Sequence, residues 1–268
     1  MSTVESSWTY PKIVARLRGA GCVFAEDEAR LLLSGSGTSD ELMTMVERRA
    51  AGVPLEHVLG WAEFYGRRVL IDAGVFVPRR RTEFLVTQSI EALTPMPRRR
   101  TVVDLCCGSG AIGASIFAAL SDVELHATDI DATAVRCARR NVALANGQVY
   151  EGDLYDPLPI RLKGRVDLVV ANVPYVPTSS IPTMPPEARD YETQVALDGG
   201  PDGLDVLRLV IARAPQWLAP GASVMVETSE GQAAAALATI SRQGLAARVT
   251  TSDELNATVV IGTKPANW

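Results

Sequence analysis

Asn172-Val173-Pro174-Tyr175 stands directly after the apolar run Val166-Asp167-Leu168-Val169-Val170-Ala171. An amide, a residue locked before proline and an aromatic at the end of a strand form a grip for a planar amide or amine. The Asn172 side-chain carbonyl can accept one N–H of such a group. Pro174 holds the backbone of Val173 extended, so the Val173 carbonyl becomes a second acceptor in a set direction. Tyr175 supplies a flat wall. Two acceptors on two N–H bonds aim the nitrogen's remaining lobe at an electrophile, which is what methyl transfer to a weakly nucleophilic nitrogen needs. As a bare tetrapeptide the same residues also read as a polar turn in which Asn172 satisfies backbone groups. Their place after a buried strand favours the chemical reading.

A seat for the electrophile lies upstream. Thr101-Val102-Val103-Asp104-Leu105 reads as a buried parallel strand, Cys106-Cys107-Gly108-Ser109-Gly110 as a tight turn, and Ala111 to Ile116 as the start of a helix. Small residues in such a turn let backbone N–H groups approach a ligand at the helix N-terminus. Val123 to Thr128 reads as a second strand ended by Asp129, the position from which an acid holds ribose hydroxyls in a doubly wound sheet. Asp153-Leu154, leading out of a third element, sits where an adenine could be recognised. The expected cofactor contacts are thus Asp104, Cys106, Cys107, Gly108, Ser109, Gly110, Asp129, Ile130, Asp153, Leu154 and Asn172. The expected catalytic group is Asn172, Val173, Pro174 and Tyr175. Strand, glycine turn, two acids and then Asn-x-Pro-Tyr is the order in which an S-adenosylmethionine methyltransferase presents its parts.

Gly108-Ser109-Gly110-Ala111-Ile112-Gly113 also matches the glycine pattern of dinucleotide-binding turns. On that motif alone a nicotinamide cofactor and a methyl-donor nucleoside stand level. Two features favour the methyl donor: no obvious hydride-transfer acid or base follows the turn, and Asn-x-Pro-Tyr has no use in that chemistry.

The elements that must hold these residues follow from periodicity. Residues from about Trp8 to Ala51 read as short helices, with Ile13, Leu17, Ala29, Leu32 and Leu33 at helical spacing, a break at Ser34-Gly35-Ser36-Gly37 and a cap in Ser39-Asp40-Glu41. Phe64 to Ile71 reads as a strand pair turning at Gly66. Val77-Pro78 ends this unit, and a helix runs from Thr82 to about Leu93. Beyond the loop Thr94 to Arg100, strands alternate with helices, including strands at Ser223–Glu227 and Ala257–Ile261, so a parallel-dominated sheet is expected. The Pro- and Ser-rich stretch Thr178 to Pro186 is expected to form a mobile lip over the site. Arg79-Arg80-Arg81 and Arg98-Arg99-Arg100 read first as solvated faces.

Composition bounds the function. The 268 residues, 47% apolar and 21% charged, suffice for a substantial core, and a net charge of −5 argues against a nucleic-acid partner. Cys22, Cys106, Cys107 and Cys137 form no paired motif and read as reduced, mostly buried thiols. His57 and His126 are isolated, so no metal site is expected. With no apolar signal core at the N-terminus and no membrane-length apolar run, a cytoplasmic location is expected.

The chain resembles the protein N5-glutamine methyltransferases, whose best-known members modify the Gln of the Gly-Gly-Gln motif in peptide chain release factors. The resemblance rests on Arg48-Arg49 with Gly52-Val53-Pro54-Leu55, on Leu59 to Gly66, and on Val75 to Arg79 with Thr82-Glu83. It continues through Asp104 to Gly113, Asp129, Asp153, Tyr191-Glu192, Ala196 to Gly200 and Asp202-Gly203-Leu204. Most methyltransferases lack the segments before residue 85. Three positions depart from the family pattern: Val173 replaces the first proline of Asn-Pro-Pro-Tyr, Cys106 the first glycine of the cofactor turn, and Arg80-Arg81 a proline-acid pair.

The resemblance implies a Rossmann-like α/β methyltransferase domain over residues 79–268, preceded by a helical substrate-recognition domain with a β-hairpin over residues 1–78. It also implies methyl transfer from S-adenosylmethionine to a glutamine N5 in a protein, with S-adenosylhomocysteine as product and a release factor as the partner. Three other readings stay open at this level. One is a different protein substrate, such as a ribosomal protein. Another is an exocyclic amine of a nucleic-acid base, against which Tyr175 would stack. The last is a regulatory protein that binds cofactor but has lost turnover through Val173.

Overall fold

The computed structural model describes residues 8–97 and 99–267. Helical apolar spacing folds the N-terminal stretch into α1 (Tyr10–Gly19), α2 (Ala25–Gly35) and α3 (Ser39–Ala50), followed by the short α4 (Leu55–Leu59). Ile13, Leu17, Leu32 and Val46 are fully buried in one cluster, each contributing about 1.5–3 kcal/mol. The cap of α3 lies one residue before the expected one. Thr38 Oγ1 accepts the Glu41 N–H at 3.2 Å, because Thr38 is still extended whereas Ser39 is already helical.

β1 (Trp61–Phe64) and β2 (Arg67–Leu70) form the expected hairpin. Tyr65 and Gly66, at φ 50 and 67, make the doubly left-handed turn that matches strand twist. Ala62, Phe64, Val69 and Ile71 pack into the same core as the large sheet. α5 (Glu83–Leu93) follows a 3-10 turn at Arg80–Thr82.

The rest alternates: β3 (Arg100–Leu105), α6 (Ala111–Leu120), β4 (Val123–Asp129), α7 (Ala132–Asn141), β5 (Gln148–Glu151) and β6 (Val166–Ala171). It ends with α8 (Pro186–Tyr191), α9 (Asp205–Trp217), β7 (Leu218–Thr228), α10 (Ala233–Arg242), β8 (Ala246–Ser252) and β9 (Ala257–Thr263). The strands form one sheet in the order β5-β4-β3-β6-β7-β9-β8. All neighbours are parallel except β9, which is antiparallel to both β7 and β8. Period-two alternation splits the core into two layers. Val102, Leu168 and Val170 face α5, α6 and α7, and Val103, Leu105, Val169 and Ala171 face α9 and α10. The sheet is the parallel-dominated, Rossmann-like one expected, with β8 added at an edge. Among the described residues, no helix is long and apolar enough to cross a membrane.

The basic runs are not simple solvated faces. Arg98 lies outside the described residues, while Arg100 donates to the carbonyls of Leu93 at 3.2 Å and Met96 at 2.7 Å and so ties off the end of α5. Both histidines are buried and hydrogen-bonded, His57 to the Val75 carbonyl and His126 between Tyr150 and Glu124.

Asp104, the penultimate residue of β3, is fully buried. Its Oδ2 accepts the Gly113 N–H at 2.9 Å, one of the donors that the first turn of α6 leaves over. Only glycine allows that approach: a Cβ on Gly113 would lie 2.9 Å from Leu125 and 3.1 Å from Asp104 Oδ2. Oδ1 has no partner. Burial pushes the carboxyl up to about 7, the Gly113 N–H pulls it back, and Asp129 adds to the rise. A carboxyl raised in the folded state favours folding at low pH and loses that advantage as pH rises from its ordinary value towards the folded one. Wild type should therefore lose stability relative to Asp104→Asn between about pH 4 and pH 7, and run parallel to it above that. Denaturant unfolding of both proteins across that range measures the difference; parallel curves throughout would show that Asp104 is ionised on folding.

Candidate active site

Strand register builds the site. Leu105 of β3 pairs with Thr128 of β4 on one side and with Ala171 of β6 on the other. Ala171 pairs in turn with Val226 of β7. The next residues, Asp129, Cys106, Asn172 and Glu227, consequently share one rim at the C-terminal edge of the sheet. Strand order reverses between β3 and β6, the point at which a doubly wound sheet opens a crevice for a ligand. A cavity of about 610 Å³ opens there, within the roughly 300–1,000 Å³ of small-molecule sites.

Cys106, Cys107, Gly108, Ser109, Asp129, Ile130, Asp153, Leu154 and Asn172 line this cavity, together with Val173, Pro174 and Tyr175. Asp104 and Gly110 do not. Asp104 lies behind the turn on Gly113, and Gly110 is the left-handed residue that starts α6. The structure thus brings together nearly all the residues that the sequence singles out.

One half of the cavity suits a nucleoside. The Cys107 N–H donates to the Thr128 carbonyl at 3.0 Å, and the Gly110 N–H to the Cys107 carbonyl at 2.7 Å, closing the turn over β3 and β4. Asp129 Oδ2 accepts the Gly108 N–H at 2.8 Å and Oδ1 the Asp131 N–H at 2.9 Å. Each carboxylate oxygen keeps a further lone pair, so two vicinal hydroxyls fit. Burial pushes the Asp129 carboxyl up, against the pull of the Asp131 and Gly108 N–H groups. Ile130 is 57% exposed on the rim, a large apolar face left for a flat base. Cys106 and Leu154 hold φ 53 and 45, conformations that cost non-glycine residues of order 1–3 kcal/mol each. Burial pushes both the Cys106 and Cys107 thiols up, away from the reactive thiolate form.

The other half suits a planar acceptor. The Asn172 amide nitrogen donates to Thr82 Oγ1 at 3.3 Å, which leaves its carbonyl oxygen for another donor. Val173 is buried, and among the described residues no N–H is bonded to its carbonyl. Tyr175 is half-buried, its hydroxyl accepting from Arg81. Burial pushes the Tyr175 phenol up, reinforced by Glu227 and opposed by Arg81.

Two groups reach the site without a clear sequence signal of their own. Glu192 is buried; it accepts the Val77 N–H at 3.1 Å and holds Arg79 through both oxygens at 2.7 Å. Glu227, with 2% exposure, accepts Arg81 Nε at 3.1 Å. An acid ending the apolar run Val224-Met225-Val226 is the available cue, the same cue that marks Asp129. The expected lip folds as a 3-10 turn at Thr178–Thr183 and then α8, and Met184, Pro185, Glu187 and Ala188 line the cavity.

A glycine turn on β3, an acid on β4 and Asn-x-Pro-Tyr on β6, carried on this sheet, define a nucleoside-dependent methyltransferase. The Methyltransferase small domain family matches residues 67–183. A release factor glutamine methyltransferase of Geobacter sulfurreducens is 37% identical over 220 residues, 81% of this chain and 75% of that one. Another, of Deinococcus radiodurans, is 35% identical over 255 residues, 88% of this chain and 90% of that one. The chain belongs to the release factor glutamine methyltransferase family. Among solved structures, a T. thermophilus 16S rRNA N2 G1207 methyltransferase shares the fold, with a TM-score of 0.53 at 17% identity over 76% of this chain and 49% of that one.

The segment after α8 buttresses the acceptor half. The Val176 N–H donates to the Leu197 carbonyl at 3.1 Å, and the Gly199 N–H returns to the Val176 carbonyl at 2.9 Å. A Cβ on Gly199 would stand 2.7 Å from the Pro174 carbonyl oxygen and 2.8 Å from the Gly203 backbone. Gly199→Ala should therefore cost about 1–3 kcal/mol of stability and shift the Asn172–Tyr175 turn while the turn after β3 stays in place. Thermal unfolding, read beside nucleoside titration, checks this; an unchanged midpoint would mean the segment moves aside freely.

Proposed function

We propose that this chain methylates the side-chain amide nitrogen of a glutamine in a peptide chain release factor, using S-adenosylmethionine. The observation that carries the reading is the Asn172 amide, tied by its nitrogen to Thr82 one strand away from the glycine turn. Family membership supports the substrate, and the half-buried Asp129 with two spare lone pairs supports the nucleoside. Cys106 to Ser109 and Leu154 would enclose that nucleoside, with Ile130 against its base and Asp153 at its edge.

When bound, the donor supplies a methyl group on a positively charged sulfur. An amide nitrogen is a poor nucleophile because its lone pair is delocalised into its own carbonyl. The carbonyls of Asn172 and Val173 accept its two N–H bonds, raise the electron density on nitrogen and orient it. Tyr175 fixes the plane of the amide. As the new bond from nitrogen to the methyl carbon forms, the carbon–sulfur bond would break with its electron pair left on sulfur, now neutral, and the nitrogen would release one proton to bulk solvent. The chain's contribution is positioning and charge management, which matter most when the electrophile is already activated.

We also propose that residues 1–78 recognise the release factor and residues 79–268 carry the transfer, in the cytoplasm. Contacts across that division support this: Arg49, held by Glu28 at 2.6 Å, also binds Glu187 of α8 at 2.7 Å. The Tyr191 hydroxyl donates to the Ala51 carbonyl at 3.2 Å. A partner seated on the helices would thus act on the wall of the cavity.

The direct test is incubation of the purified chain with release factor and labelled donor, followed by mass-spectrometric mapping of the modified residue. A label on nucleic acid, or on a residue other than glutamine, would overturn the reading. Two variants should behave oppositely. Asp129→Ala should weaken S-adenosylhomocysteine binding by about 1–3 kcal/mol. Asn172→Ala should cut turnover by on the order of a hundredfold or more with a far smaller change in that binding. Calorimetric titration with single-turnover kinetics separates them; full turnover in Asn172→Ala would remove the mechanism.

A further inference from the structure

The polarity of the Asn172 amide is not decided by Asn172 itself. Thr82 is buried at 1% exposure between two groups: it accepts from the Asn172 amide nitrogen, and its hydroxyl bears on the carboxyl of Glu227. Glu227 stands beside Asn172 because Val226 pairs with Ala171. Its Oε1 takes Arg81 Nε at 3.1 Å, and its Oε2 is buried and, among the described residues, has no hydrogen-bond partner. Arg81 also donates to the Tyr175 hydroxyl, its guanidinium carbon lying 5.7 Å from the ring centroid.

Proton counting gives this arrangement a direction. An ionised carboxylate can only accept, so a hydroxyl facing it must donate to it. Once the Thr82 hydroxyl turns its one proton to the unpartnered Oε2 of Glu227, Thr82 can only accept from Asn172, the direction in which the 3.3 Å bond runs. The amide must present its nitrogen to Thr82 and its carbonyl to the opposite side, where the acceptor binds. A protonated Glu227 could donate instead. The Thr82 proton would then be free to turn to the Asn172 carbonyl, occupying the group that the acceptor needs.

We propose that Thr82, Glu227 and Arg81 are positioning residues that set the direction of the Asn172 amide: the Glu227 carboxylate, held by Arg81, orders the Thr82 hydroxyl, and Arg81 also holds Tyr175. This rests on the reading of Asn172 as the acceptor's hydrogen-bond partner. Burial pushes the Glu227 carboxyl up, with Thr82, Arg81 and Tyr175 pulling it back. Among the described residues Thr82, Arg81 and Tyr175 are the polar groups that bear on it, and removing Arg81 leaves burial less opposed.

The test uses the full chain, with two kinds of readout. Thr82→Val and Glu227→Gln should each lower kcat by about tenfold to a hundredfold, with KM for S-adenosylmethionine changed by less than about threefold. Thr82→Ser, which keeps the hydroxyl, should restore most of the rate. Arg81→Met should move the acid limb of the kcat–pH profile to higher pH, and Arg81→Lys should move it part of the way back. Independently of turnover, the side-chain amide proton resonances of Asn172, identified by their loss in Asn172→Ala, should shift in Thr82→Val and Glu227→Gln and stay in place in Thr82→Ser. Unmoved resonances in Thr82→Val would overturn the proposal, as would a kcat in that variant equal to wild type. A wild-type chain that methylates no glutamine would instead overturn the assigned function, and the resonances would still decide whether the network orders Asn172.

Discussion

Level strand ends are the constraint on which the rest of this molecule depends. Leu105 is paired on one side with Thr128 and on the other with Ala171, which is itself paired with Val226. Four neighbouring parallel strands therefore release their next residues onto one rim. A slip of one residue in any pair would turn the side chain of Asp129, Asn172 or Glu227 to the other face of the sheet. Burial on both faces forbids that slip. β6 is buried along its whole length, and Val103 and Val169 serve one layer while Val102 and Val170 serve the other. The chemistry at the rim is thus positioned by hydrophobic packing well below it.

Four carboxyls at and around this rim sit in dry surroundings that disfavour them, and they are treated in three ways. Asp104 gains one helix N–H and no counter-charge, and burial dominates. Asp129 gains two backbone N–H groups and stays open to the cavity. Glu192 and Glu227 each gain an arginine from the single run Arg79-Arg80-Arg81. Both acids are buried while their arginines are partly exposed, so losing an arginine leaves a carboxyl in dry surroundings without its counter-charge. The run that composition suggests is solvated instead stitches two distant parts of the chain, α8 and β7, to the entry of α5. Arg80, between the two paired arginines, is exposed.

What is legible in the sequence follows from range. The Cys106–Gly110 turn, Asp129 and Asn172–Tyr175 each sit at the end of an apolar run, and a run's end is a local signal. The hairpin is legible for the same reason, since Tyr65-Gly66 is a turn read from adjacent residues. The Arg81–Glu227 and Arg79–Glu192 pairs join residues more than a hundred positions apart. Nothing in either neighbourhood announces the other. β8 escapes a reading by pattern because Arg248, Thr250 and Thr251 give an edge strand mixed polarity rather than a clean apolar run. The cap of α3 is displaced by one residue because Thr38 and Ser39 are equally good cap types, and only backbone conformation chooses between them.

Val173 in the place of a proline is intelligible once the surroundings of the turn are known. A second proline ring would restrict the turn from within. Here restriction also arrives from outside, through the backbone bonds between Val176 and the Leu197–Gly199 segment and through Gln232, whose amide donates to the Tyr175 carbonyl at 3.0 Å and the Asp202 carbonyl at 2.9 Å. Pro174 alone still disfavours helical backbone at Val173, and the Val173 side chain is buried in the same core cluster as Leu204 and Leu207. The carbonyl, the atom through which this residue would hold the acceptor in the proposed mechanism, is common to both residue types. Rigidity at this position is thus shared between the tetrapeptide and the segment packed against it, so a residue change within the one is absorbed by backbone contacts from the other.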